Sequence, residues 1–178
     1  MVLGWVNVEE MDDLDGPIFI ISNSSEPPSS VHAYEDSHKI ALLPLPTDST
    51  PMNAEPEQVS QVFVCRRLPT STSSISIKSA FDRYIGCDKF GVVSCEKEAI
   101  GPQEEWEPIF RDDGIAFKSS AYDKFLSVDG KDLRADTTTI TFHSIFRIKC
   151  QASNKRKKKK AKIEATKINV AALEVEQM

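Results

Sequence analysis

The 178-residue sequence is short of the patterns on which catalysis is usually built. It has only seven glycines, and none fall in GxGxxG or GxxxxGK[ST], so neither type of phosphate-cradling loop is present. No GxSxG nucleophile elbow occurs. His32, His38 and His143 stand alone, without an HExxH pair or a carboxylate at ligand spacing, and read as surface or turn positions. Cys65, Cys87, Cys95 and Cys150 form no CxxC and have no histidine at zinc-finger spacing. They are expected to be small buried apolar groups in a reducing compartment, with no metal and no cofactor. No run of about 18 apolar residues exists to make a membrane-spanning helix. Met1 to Asp15 carries Glu9, Glu10, Asp12, Asp13 and Asp15 with no lysine or arginine, unlike a secretory leader, so an intracellular protein is expected. Asn23-Ser24-Ser25 then reads as a turn rather than a glycan acceptor. An enzyme is the remotest reading.

What is present is charge, unevenly placed. Residues 1–150 hold 24 acids against 14 bases, and residues 151–178 hold 8 bases against 3 acids. The first 57 residues contain 11 acids and a single base, Lys39. An acidic lead-in (1–15) therefore precedes the body, and a basic tail (151–178) follows it.

Short apolar runs with period-2 alternation recur through the body, whereas helix-period stripes do not. Strands are predicted near Ile18–Ile21, Val31–Tyr34, Ile40–Leu43 and Val59–Val64. Four more fall at Ile75–Lys78, Tyr84–Cys87, Val92–Ser94 and Trp106–Phe110, and a last four at Ile115–Lys118, Phe125–Val128, Leu133–Ala135 and Ile145–Ile148. Turn residues separate them, among them Pro27-Pro28, Asp112-Asp113-Gly114 and Asp129-Gly130. The second and third groups also share a pattern. Ile75-Ser-Ile-Lys78-Ser, a turn, then Asp82-Arg-Tyr84-Ile85 parallels Ile115-Ala-Phe-Lys118-Ser, a turn, then Asp123-Lys-Phe125-Leu126. Twelve short strands in three pseudo-repeats (about 16–66, 67–111 and 112–150) predict an all-β fold, a β-trefoil over 16–150, with a two-sheet sandwich as the rival. Candidate core residues are Ile18, Ile20, Leu42, Val62, Val64, Ile75, Ile77, Ile85, Trp106, Ile109, Phe117, Leu126, Phe146 and Ile148. The extra length of the first repeat lies in Pro44 to Pro56.

Two segments stand out. Ala99 to Phe110 reads AIGPQEEWEPIF: Gly101-Pro102 makes a sharp entry, Trp106, Ile109 and Phe110 supply an apolar face, and Glu104, Glu105 and Glu107 are expected toward solvent or in the turn. A buried Trp anchoring the repeat is the leading reading, and a partner patch built from the acids is the lesser one. The second segment is Lys155, Arg156, Lys157, Lys158, Lys159, Lys160 and Lys162, broken only by Ala161. Such a block repels itself and is expected to be flexible and extended in solvent, as a nuclear localisation signal or a phosphate-backbone contact. Ile163 to Met178 carries scattered apolar residues that predict a short helix on a partner. Because the body is acidic, any RNA binding would be weak, sequence-tolerant and supplied by the tail.

AIGPQEEWEPIF at Ala99 to Phe110, SIKSAFDRYIG at Ser76 to Gly86, Gly4-Trp5 and Glu57-Gln58-Val59 together resemble the facioscapulohumeral dystrophy region gene one family, fascin-like β-trefoils. The resemblance covers about Gly4 to Cys150, with Gly101, Pro102, Glu105, Trp106, Pro108 and Phe110 in its most distinctive motif. It implies a non-enzymatic adaptor in pre-mRNA splicing (spliceosome) or rRNA processing, in the nucleus and nucleolus, with a cytoplasmic pool as a further option. Expected partners are splicing or pre-ribosomal proteins, RNA and a nuclear import receptor, with no membrane. Binding and bundling of filamentous actin is the alternative function, and a carbohydrate-binding trefoil ranks third because a repeated Gln-x-Trp is absent. Family members usually begin with a Lys-rich arm and continue into a long basic extension, and this chain has an acidic start and one basic block.

Overall fold

The computed structural model describes residues 4–155 and 160–164. All twelve expected strands are present, and a thirteenth precedes them. In chain order they are β1 (Trp5–Asn7), β2 (Gly16–Ser22), β3 (Ser29–Ala33), β4 (Ile40–Pro44), β5 (Val62–Arg67), β6 (Ile75–Ser79) and β7 (Tyr84–Cys87). The rest are β8 (Val93–Lys97), β9 (Trp106–Arg111), β10 (Gly114–Ser119), β11 (Phe125–Asp129), β12 (Asp132–Thr137) and β13 (Phe146–Gln151).

Six of them close a barrel. Antiparallel pairing runs β2–β5–β6–β9–β10–β13 and returns from β13 to β2, so no barrel strand has an open edge. The other strands make three hairpins, β3–β4, β7–β8 and β11–β12. Three backbone hydrogen bonds tie the hairpins into a ring: Cys95 N–H to His38 C=O at 2.9 Å, Ala135 N–H to Gly91 C=O at 2.9 Å, and Leu42 N–H to Lys131 C=O at 2.9 Å. Each bond leaves one hairpin's turn for the next hairpin's last strand. His38 (φ 56) and Gly91 (φ 82) both occupy the left-handed region there, a conformation glycine tolerates best. This closed barrel under a threefold cap is a β-trefoil, and a two-sheet sandwich has no such closure.

The two matching sequence segments fold alike. Asp82 (φ 62) and Asp123 (φ 55) take the same left-handed turn, and each faces the lysine that starts it: Lys78 at 3.4 Å and Lys118 at 3.6 Å. Ser79 N–H donates to Arg83 C=O and Ser119 N–H to Lys124 C=O, both at 2.7 Å.

Strand β2 is buried on both faces. Ile18 and Ile20 point into the barrel with Phe63, Cys65, Ile75, Ile77, Trp106, Phe117, Phe146 and Ile148. Phe19 and Ile21 point outward, where Leu45, Ala54 and Trp5 cover them. The long connection after β4 thus lids the outer wall of the first repeat. It is pinned by Lys149, which is 2% exposed and donates from Nζ to Met52 C=O at 2.8 Å and Ala54 C=O at 2.7 Å.

Three expectations need correcting. Val59–Gln61 is a 3-10 turn, so β5 begins at Val62 and its inward residues are Phe63 and Cys65, while Val62 and Val64 are half-buried on the outside. A one-residue shift exchanges the two faces of a strand. In β9, Trp106 and Pro108 are the buried positions, Ile109 is half-buried and packs on an outer cluster, and Phe110 is exposed. Residues 4–15 are more than a lead-in: β1 pairs with β13, and Val8 and Leu14 join the core.

His32 carries a pH consequence. Its Nδ1 lies 2.7 Å from Ser60 Oγ at the junction of β3 and the turn before β5, and burial lowers its pKa below the ordinary 6.5. The folded imidazole resists protonation while the unfolded one accepts a proton, so this site's contribution is intact above pH 6.5 and is lost as pH falls below it. Urea midpoints measured between pH 7.5 and 5.5 are expected to fall, and His32→Gln is expected to flatten that part of the slope. Superimposable profiles for the two proteins would remove His32 from the account.

Candidate functional site

The basic tail leaves the barrel through β13. Beyond it, Ala152 N–H still donates to Gly4 C=O at 3.0 Å, continuing the β1–β13 edge, and the chain turns helical over 152–155. Residues 160–164 are also helical. Arg156, Lys157, Lys158 and Lys159 lie outside the described residues, as does most of the expected helix over Ile163 to Met178.

The described tail residues differ from the expectation of an extended, solvated block. Lys155 Nζ donates to Asn7 C=O at 2.8 Å and sits 3.2 Å from Glu9 and 3.7 Å from Asp13. Lys162 Nζ lies 2.6 Å from Asp12 and 3.6 Å from Glu10. The hydrogen bond and charge of Asp12, with Glu10 behind it, push the Lys162 pKa up. Lys160 is exposed. The physical reason is that the acids of residues 9–13 supply the counter-charge that the basic block cannot supply for itself.

Those acids are held by a repeated device. Before β2, β5, β9 and β13 the chain makes a 3-10 turn, over Met11–Leu14, Val59–Gln61, Pro102–Glu104 and Phe142–Ser144. In each, the fourth residue counted from the cap reaches back to the cap's N–H: Asp13 to Glu10 at 3.2 Å, Gln61 to Gln58 at 2.9 Å, Glu104 to Gly101 at 3.0 Å and Ser144 to Thr141 at 3.3 Å. Asp13 and Gln61 also accept a second N–H, from Glu9 at 2.9 Å and Glu57 at 2.8 Å. This satisfies donors that a short helical turn leaves open. All four acceptor residues are buried. The acidic lead-in is therefore the fourth copy of the turn, and its rigidity presents Glu9, Glu10 and Asp12 on one rim. A polar acceptor three residues after the cap, followed by a strand, was the readable signal for this turn.

The same device explains AIGPQEEWEPIF. Gly101 caps the turn and exposed Pro102 opens it, where a missing N–H costs nothing. Glu104 takes the second of its two expected positions, in the turn, and is buried there because its carboxylate answers Gly101. Half-buried Glu105 gives its carbonyl to Ser120 N–H at 3.0 Å. Trp106 is fully buried, with Nε1 donating to Ile85 C=O at 2.9 Å. Pro108 is buried in β9, which meets β6 at the single pair Ile75–Trp106, so its missing N–H interrupts no longer ladder there. Phe110 lies at the mouth of a cavity of ≈ 320 Å³ with Arg111, Asp113 and Arg147. The motif builds the second repeat, and its last residue, Phe110, lines the same cavity as Asn7 and Glu9, the residues that Lys155 meets.

Among the described residues no group of His, Cys, Asp and Glu is placed to hold a metal ion, and no helix is long and apolar enough to cross a membrane. All four cysteines are buried, and burial raises the thiol pKa of Cys87 and Cys95.

By its closed barrel and three-hairpin cap the protein is a β-trefoil. The solved structure of SeviL bound to asialo-GM1 saccharide superposes with a TM-score of 0.59 at 11% identity, covering 78% of this chain and 98% of that one. The chain belongs to the FRG1-like domain family, whose family model matches residues 44–178. It is 27% identical over 175 residues to Protein frg1 of Schizosaccharomyces pombe, covering 96% of this chain and 69% of that protein. It is 29% identical over 101 residues to the Protein FRG1 homolog of Drosophila melanogaster, covering 56% of this chain and 36% of that protein. For the Protein FRG1 homolog of Caenorhabditis elegans the identity is 27% over 128 residues, covering 70% of this chain and 44% of that protein. Against the last two relatives the chain spans less than half of their length.

Proposed function

We propose that this protein is a non-enzymatic nuclear adaptor of RNA-processing particles, in which the trefoil docks on protein and the basic tail directs import and touches RNA. The observation that carries this is the contrast of charge: seven cations in eight positions from Lys155 to Lys162, joined to an acidic body. A phosphate backbone or an import receptor would engage the tail, because the acidic barrel repels polyanions. The block lies within the span matched by the FRG1-like family model, and spliceosomal or pre-ribosomal proteins are the partners that the family resemblance suggests.

The test replaces all seven cations from Lys155 to Lys162 by glutamine in a tagged protein. Nuclear accumulation is expected to collapse to an even cell-wide distribution. Binding of a single-stranded oligouridylate is expected to fall below detection, while wild type loses affinity with salt at a log–log slope of about −0.7 per phosphate neutralised. Unchanged import and a flat salt profile would sink the reading. Cosedimentation with actin filaments that survives the seven replacements would point to the alternative function instead.

A further inference from the structure

We propose that the acidic first turn is an intramolecular latch for the basic tail, so that the same carboxylates compete with any polyanion for Lys155 and Lys162. The competition with RNA rests on the function proposed above, and the latch itself does not.

The placement supports a device rather than chance surface pairing. An isolated exposed ion pair contributes little, but here two lysines seven residues apart meet four carboxylates held on one short turn. Lys155 lies in the helical segment 152–155 and Lys162 in the helical segment 160–164, and both reach the same rim. Lys155 is the deep end of the contact. Its side chain is 25% exposed, it bonds the Asn7 carbonyl, and it faces Asp13, whose side chain is 4% exposed. Lys162 is the shallow end, with its side chain 62% exposed, so it can leave first. The seat is rigid because Asp13 is fastened to its own turn and because β1 is zipped to β13. Asp12 also pairs with Arg67 of β5 at 2.9 Å, which keeps the rim in register with the barrel. A phosphate backbone offers the lysines the same chemistry as this rim. Tail binding must therefore displace the rim, and affinity is reduced by the fraction of tails that are latched.

The latch is tested with the full chain and the triple variant E9Q/E10Q/D12N. A control, E35Q/D36N/E96Q, removes the same three charges from exposed positions elsewhere. The first readout is the rate of trypsin cleavage within 155–162 of the folded protein. It is expected to rise roughly five- to tenfold in the rim variant, as for the loss of several weak ion pairs, and to stay level in the control. Salt of about 0.5 M is expected to raise wild-type cleavage toward the variant's rate, since exposed pairs are screened within a few ångström. Equal cleavage in all three proteins at low salt overturns the latch. The second readout is binding of oligouridylate. Tighter binding by the rim variant than by the control supports competition, and equal binding overturns it. If cleavage rises in the rim variant and neither protein binds RNA, the latch stands and the RNA role proposed above falls. A chain whose circular dichroism departs from wild type is replaced by the single variant E10Q, for which a smaller rise in cleavage is expected and no rise overturns the latch.

Discussion

Trp106→Ala is expected to destabilise the protein by about 3–5 kcal/mol, the range for emptying a large aromatic site in a packed core. The indole is fully buried at the one residue pair that joins β6 to β9, so it plugs the barrel at one of its two seams held by a single backbone pair. Removing it opens a void among Ile75, Ile85 and Phe117, and the Pro108 ring two residues on gives β9 little freedom to collapse inward. A second loss is polar: Ile85 C=O, at 2.9 Å from Nε1, keeps no donor from residue 106. Trp106→Phe separates the two effects. It restores much of the volume and none of the hydrogen bond, and is expected to cost about 1–3 kcal/mol. Urea unfolding followed by far-UV circular dichroism gives both numbers, with m-values held constant as the sign that only stability changed. A loss below about 1 kcal/mol for the alanine variant would mean that the barrel does not depend on this plug. With typical domain stabilities of about 5–15 kcal/mol, the alanine variant sits near the edge of folding. Most of the family's distinctive motif is then explained by construction: Gly101, Pro102, Glu104, Trp106 and Pro108 each answer a demand of the turn or of the strand that follows.

The residues differ in how plainly they announce their roles. Strands β6, β7, β10 and β11 were legible because alternation, turn residues and the paired Lys–Asp turns agree with one another at every level. Strand phase was not legible in β5, where Val62-Phe63-Val64-Cys65 is apolar at every position and alternation carries no information. The preceding 3-10 turn, closed by Gln61, decides which of those residues face inward. Strand β1 was hidden because Trp5–Asn7 is too short to show a period, and its partner β13 lies some 140 residues away in sequence. The tail misled for a related reason. Its charge excludes a core position, but charge alone does not show that a rim of opposite sign has been folded within reach. That rim could have been suspected from the Glu-x-x-Asp spacing of Glu10 and Asp13, which repeats the polar spacing of Gln58 and Gln61. The cap groove lined by Tyr34 and Val92 carries three bases, Lys39, Lys131 and Arg134, against one acid, Asp132.

Lys149→Met is expected to loosen the segment 45–57 far more than the barrel beneath it. Alternation along β13 sends Ile148 inward and Lys149 to the outer wall, opposite Phe19. Here the long connection after β4 covers it, and Lys149 becomes a buried cation whose pKa burial lowers, with the Arg147 charge adding to the drop and Glu55 opposing it. Its two hydrogen bonds, to Met52 and Ala54 carbonyls, are charge-assisted, the kind that contributes about 1.5–3 kcal/mol each before desolvation is subtracted. Methionine keeps the aliphatic stem that packs near Phe19 and removes both donors, leaving two carbonyls to be answered by water. The cover over Phe19 and Ile21 must then part, at a net cost of about 2 kcal/mol, since the cation's own desolvation is relieved at the same time. Hydrogen exchange of the amides of Leu45 and Ala54, which donate to Pro28 and Thr50 carbonyls at 2.9 Å, reads this directly. Their protection is expected to drop roughly tenfold to thirtyfold, as 2 kcal/mol implies, while the β2–β13 ladder keeps its protection. Lys149→Arg, which retains donors on a longer and wider head, is expected to fall between wild type and methionine. Equal protection of segment 45–57 in all three proteins would show that Phe19, Ile21 and Leu45 hold the cover by apolar contact alone.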